Sequence, residues 1–127
     1  MFLYHAGFMG AGFAVLLSGG LVARYARKRR WWLRVHRGLA YGGVFLVFAG
    51  FTTMFLGKTG GHFRVPHAWL GAAVLVLAVV TPFLGNLQFI LRQKAKAIRA
   101  AHRLSGRGTL ALMGINVFSG LWLAGIL

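Results

Sequence analysis

Four long apolar stretches separated by short basic runs leave this chain little choice of fold. They cover roughly residues 2–23, 33–56, 67–91 and 100–127. Each has at least the ~20 residues a helix needs to cross ~30 Å of hydrocarbon. No water is present at that depth, so an open segment must satisfy its backbone internally, and a helix is the one way to do so. The expectation is an all-α integral membrane protein, an up-down-up-down four-helix bundle forming a single domain over residues 1–127. The first stretch has no basic residue ahead of its apolar run and its charges follow it. It therefore reads as a span rather than a cleaved leader.

The charge supports the same reading. The chain has 15 Lys plus Arg and no Asp or Glu. In a soluble domain that imbalance suggests nucleic acid. Here it sits in blocks between apolar stretches, so the expected surroundings are a lipid bilayer, with no nucleic-acid partner. The first connection carries Arg24, Arg27, Lys28, Arg29, Arg30, Arg34 and Arg37, and the third carries Arg92, Lys94, Lys96, Arg99, Arg103 and Arg107. The second has Lys58 and Arg64. The positive-inside rule puts the first and third connections in the cytoplasm, and both termini and the second connection outside. Tyr25, Trp31 and Trp32 fit an interfacial belt. Topology and headgroup contact account for most of the basic residues. Attraction of an anionic reductant by Lys28, Arg30 and Lys94 is a further reading. The 19 glycines would weaken soluble helices, but in a membrane small residues allow close packing, and Gly38 and Gly42 have small-xxx-small spacing.

The missing residue types exclude much chemistry. Without cysteine there is no disulfide, iron–sulfur cluster, thiolate zinc site or thioether-linked haem. Without carboxylates the chain alone cannot build a Ser-His-Asp triad, a paired-acid hydrolase or a carboxylate-bound magnesium or calcium site. Five histidines remain: His5, His36, His62, His67 and His102. Four of them follow an internal duplication. Tyr4-His5-Ala6 opens the first stretch and Pro66-His67-Ala68 the third, while His36-Arg37 opens the second and His102-Arg103 the fourth. The gap from His5 to His36 is 31 residues, and that from His67 to His102 is 35. Two helical hairpins, each with a histidine near the start of both helices, explain the pattern.

Ionisable residues inside a membrane are costly and usually mark function. Odd spans start outside and even spans inside, so His5 and His67 fall near the outer face and His36 and His102 near the inner face. In an up-down bundle these are diagonal pairs, able to sandwich a flat macrocycle in the core. Haem b fits: its iron takes two axial imidazoles, its ring is apolar and it needs no cysteine. Arg37 and Arg103 directly follow the inner histidines and are placed to meet anionic propionates. A single zinc or copper held by all four histidines fails on distance, because His36 lies roughly 18 residues, or ~27 Å, below the level of His5. A proton relay lacks a carboxylate to complete it. His62, five residues before His67, reads as a solvent-facing or propionate-contacting residue, with replacement of His67 as ligand the alternative.

These residues resemble the cytochrome b561 superfamily, including its ferric-reductase and DOMON-linked branches. The matching elements are His5 with Phe8-Met9, Gly20 and Val22-Ala23-Arg24; Trp32 followed by His36-Arg37; Gly50; His67-Ala68-Trp69-Leu70-Gly71; and His102-Arg103 with Gly106, Asn116 and Gly120-Leu121. Their order spans nearly the whole chain. The resemblance implies a four-helix core that holds two b haems and moves electrons across the membrane, with His5 paired to His67 and His36 to His102. Members of the family reduce ferric chelates or monodehydroascorbate outside, using ascorbate or another donor inside. The family core often has six helices, whereas this chain has the central four and no acid.

The expected function is transmembrane electron transfer through two bis-histidine b haems (iron protoporphyrin IX), one near each membrane face. Whether such a chain is an oxidoreductase or a bare electron carrier stays open at this point. One competing reading is a haem b membrane-anchor subunit of a larger redox complex, exchanging electrons with quinone or a soluble partner. Another, of a different class, is a haem-free structural subunit.

Overall fold

The computed structural model describes residues 1–57 and 62–127, with His62 described in its backbone alone. Lys58 and the His62 side chain therefore lie outside the described residues. The described chain forms four helices: α1 over Phe2–Tyr25, α2 over Trp32–Leu56, α3 over Pro66–Ile90 and α4 over Ala95–Leu123. Single 3₁₀ turns at His62–Arg64 and Arg92–Lys94 precede α3 and α4.

The helix ends follow local chemistry. Pro66 occupies the first turn of α3, where its missing N–H costs nothing, and Val65 before it is extended (φ −118°, ψ 145°). α4 starts five residues before the expected residue 100, because Ala95, Lys96, Ala97 and Arg99 are good helix formers even though they are too polar for a membrane core. It also stops before residue 127. Gly125 takes φ 69°, its N–H reaches the Trp122 carbonyl, and Ile126 N–H reaches the Leu121 carbonyl. That bonding is a Schellman motif, which closes a helix on a left-handed glycine.

Three of the helices, α1, α2 and α3, are long and apolar enough to cross a membrane by length and composition. α4 is the longest at 29 residues, but it is more polar than they are, with Lys96, Arg99, Arg103 and Arg107 in its first half. Large apolar side chains on the outside, among them Phe45, Phe48, Val76, Phe83, Ile115 and Phe118, are each more than half exposed. Lipid is the solvent that makes such a surface stable. The molecule is an all-α membrane helical bundle.

The helices form a square in chain order. Contacts are densest within the hairpins α1/α2 and α3/α4, sparser between α2 and α3 and between α1 and α4. This leaves α1 and α3 as one diagonal and α2 and α4 as the other. A central layer takes one residue from each helix: Met9, Val47, Val74 and Met113.

Glycine sets the α1/α2 seam. A Cβ on Gly43 would lie 2.6 Å from Leu16 Cγ, and one on Gly12 would lie 2.9 Å from Val47 Cγ2. Gly38 and Gly42, whose spacing suggests a packing motif, instead face open space. The close approach within the chain belongs to Gly12 and Gly43.

Candidate functional site

The histidines expected to pair by depth meet along the diagonals. The His5 and His67 rings, on α1 and α3, have centroids 6.2 Å apart and planes at 81°. The His36 and His102 rings, on α2 and α4, have centroids 6.1 Å apart and planes at 87°.

Each ring is fixed by a hydrogen bond at Nδ1 to the other helix of its own hairpin. His5 Nδ1 donates to the Gly50 carbonyl at 2.8 Å, and His36 Nδ1 to the Gly19 carbonyl at 2.9 Å. His102 Nδ1 donates to the Thr81 carbonyl at 2.8 Å. His67 Nδ1 lies 3.1 Å from the Ser119 hydroxyl, which in turn donates to the Asn116 carbonyl at 2.9 Å. These donor roles follow from the carbonyl acceptors and fix the tautomer, leaving the Nε2 lone pair available. Among the described residues, Nε2 of none of the four rings makes a hydrogen bond. An N–H tied back to a carbonyl or hydroxyl is the usual support of a metal-bound imidazole.

A regular register underlies this. Gly19 lies fourteen residues after His5, Gly50 fourteen after His36, Thr81 fourteen after His67 and Asn116 fourteen after His102. Fourteen residues close nearly four helical turns, so each histidine shares a face with the acceptor for its hairpin partner. The same spacing sets the distance between the two sites. His5 is bonded at the level of Gly50, which puts the two pairs ~21 Å apart along the axis at 1.5 Å per residue. That is shorter than the ~27 Å expected from an 18-residue offset, because the braces hold the hairpins in a tighter register.

Glycines make room for the rings. A Cβ on Gly85 would lie 3.1 Å from His102 Cε1, and one on Gly120 would lie 2.8 Å from His67 Cε1. The His5/His67 pair opens on an apolar cleft walled by Met9, Phe51, Met54, Phe55 and Gly71. Asn116 also lines it, 2% exposed, with an Oδ1 that lacks a hydrogen-bond partner. Hydroxyls of Thr81, Ser105 and Thr109 cluster between α3 and α4, with Thr81 Oγ1 2.6 Å from Ser105 Oγ and 3.3 Å from Thr109 Oγ1.

The two arginines singled out by sequence are less engaged. The Arg37 guanidinium lies over the Phe89 ring, 4.9 Å from its centroid. Arg103 is exposed. Arg30, Arg34 and Arg37 share a shallow cleft with Leu33 at the start of α2.

The donor set fits haem. Among the described residues no three His, Cys, Asp or Glu side chains come together as a metal site, which leaves pairs of imidazoles. A zinc site takes three or four protein ligands. A haem iron already holds four porphyrin nitrogens and needs two more ligands. The rings of each pair, 6.2 and 6.1 Å apart between centroids, are close enough that the two imidazoles of a pair could hold one haem iron between them.

Fold and site together define a membrane-embedded helical bundle organised around paired imidazoles. The family model for eukaryotic cytochrome b561 matches residues 4–126, nearly the whole chain, and the chain belongs to the cytochrome b561 family. Membership makes it a transmembrane haem b electron-transfer protein in general terms. No curated protein and no solved structure gives a match.

Sequence reasoning finds the four histidines but misses Gly19, Thr81, Gly85 and Ser119 as their supports. The fourteen-residue spacing from His5 and His67 is the signal available for Gly19 and Thr81; Gly85 and Ser119 fall outside it.

Proposed function

We propose that the chain binds two b haems and passes electrons between them across the bilayer. His5 and His67 would hold the outer haem, and His36 and His102 the inner. The observation that carries this reading is the pair of diagonal ring contacts, 6.2 and 6.1 Å between centroids, with every Nδ1 tied back. When bound, the haems supply one-electron chemistry, and the chain supplies ligands, orientation and a dry path. Met9, Val47, Val74 and Met113 close the space between the pairs to water. Arg37 and Arg103 stand beside the inner ligands as partners for propionates, and Arg37 would leave Phe89 to reach one. The basic first and third connections face the cytoplasm on this reading, which puts the His36/His102 pair on the cytoplasmic side.

A pyridine haemochrome assay on the purified full chain measures the loading. The expected ratio is two haems per chain. A ratio of one would remove one of the two sites, and a colourless folded protein would end the reading.

A further inference from the structure

Three of the four histidine braces end on a backbone carbonyl alone, which no substitution can delete. The fourth, at His67, adds a side-chain hydroxyl to a backbone carbonyl. Asn116, fourteen residues from His102, is the position at which a carbonyl would receive His67 by the register of the other three. Its carbonyl lies against His67 and also accepts the Ser119 hydroxyl at 2.9 Å, and the hydroxyl oxygen faces His67 Nδ1 at 3.1 Å. Gly120 follows immediately, and its missing Cβ is what lets the ring lie there, since that carbon would sit 2.8 Å from His67 Cε1.

We propose that Ser119 is a positioning residue that sets the electron donation of His67, and through it the reduction potential of the outer haem independently of the inner one. This rests on the two-haem reading above. An acceptor on Nδ1–H makes the imidazole a better electron donor at Nε2. A better donor stabilises ferric iron and lowers the potential. A hydroxyl that has given its own proton to a carbonyl is a neutral acceptor at longer range than the three carbonyl contacts at 2.8–2.9 Å. The outer site therefore carries one adjustable brace, and the inner site carries none.

The test is a redox titration of the purified full-length holoprotein, followed by absorbance and electron paramagnetic resonance. Ser119→Ala removes the hydroxyl from Nδ1–H and leaves the Asn116 carbonyl as its remaining acceptor. The outer midpoint should rise, favouring ferrous iron by on the order of threefold to tenfold, where tenfold corresponds to ~59 mV for one electron. The inner midpoint should not move. Ser119→Thr keeps the hydroxyl and should restore the outer value. Loss of the outer haem in Ser119→Ala with retention in Ser119→Thr would also support the role, since the hydroxyl then decides whether the site forms. Unchanged midpoints in a Ser119→Ala chain carrying two haems would overturn the role of Ser119 alone. So would a parallel shift of both haems, or a Thr variant that behaves as Ala. A wild-type preparation that binds fewer than two haems would overturn both this and the reading it rests on.

Discussion

The two hairpins solve one geometric problem with different chemistry. In α1/α2 the helices touch through glycine and aliphatic side chains, and both histidine braces end on glycine carbonyls, Gly19 and Gly50. In α3/α4 the seam holds buried Thr109 and Asn116, the hydroxyl cluster of Thr81, Ser105 and Thr109, and Ser119. The fourteen-residue register is common to both, so the depth of the paired rings does not depend on what fills the seam. What differs is how each seam holds its helices. A methyl added at Gly12 or Gly43 would meet its neighbour at 2.6–2.9 Å, so that seam has no slack, whereas hydroxyls can exchange partners as a side chain changes. The uncharged polar residues of this seam are kept from lipid: Thr109 and Asn116 point into the bundle, 4% and 2% exposed.

The largest effects should come from the four proposed ligands, which test whether the diagonals or the hairpins are the functional units. Replacing His36 or His102 with Ala should remove, or turn high-spin, one and the same haem. Replacing His5 or His67 should do so to the other, because a low-spin six-coordinate iron needs both imidazoles. His62→Ala should leave both signals in place. With ring planes at 81° and 87°, both haems should give strongly anisotropic low-spin resonances, since crossed imidazoles overlap different iron d orbitals. If His5→Ala and His36→Ala perturb the same signal, the hairpin rather than the diagonal is the unit.

A smaller effect separates the glycine seam from open glycines on the same helix. Gly43→Ala drives a methyl into Leu16 and should cost about 1–3 kcal/mol, read as a lower melting temperature of the haem absorbance in detergent. Gly42→Ala has nothing within 4 Å and should leave the melt within experimental error. Equal losses in the two variants would show that Gly42 packs against something outside this chain.

The smallest change is expected at the polar seam. Asn116 buries an Oδ1 without a partner, a penalty of roughly 1–3 kcal/mol. Asn116→Leu removes that penalty and should leave stability unchanged or slightly higher with both haems bound. Selective loss of the outer haem would instead identify the Asn116 amide as a contact of whatever fills the cleft.

Much of this fold is legible in the order of residues. The apolar stretches mark α1, α2 and α3 to within two residues at each end, because bilayer thickness fixes length and backbone satisfaction fixes helix. α4 departs from its apolar stretch at both ends. Its start is set by helix propensity in a polar segment and its stop by the left-handed Gly125, neither of which hydropathy reports. The histidines stand out because ionisable groups are rare in apolar runs. Their supports do not, because a glycine carbonyl or a serine hydroxyl looks the same whether or not a ring is aimed at it. Gly38 and Gly42 mislead for a related reason: spacing says that a face is smooth, not which neighbour meets it.

Sequence alone thus determined that the chain crosses a membrane as helices and carries histidines at two depths, since one-dimensional periodicity and charge encode both. Tertiary structure decided which glycines form the seam, that the braces run within hairpins while the rings meet across diagonals, and that one brace passes through Ser119. Those facts depend on the rotation of each helix about its own axis. Steric contact between helices fixes that rotation at the scale of a single methyl group, and no residue carries a mark of it until its neighbour on another helix is in place.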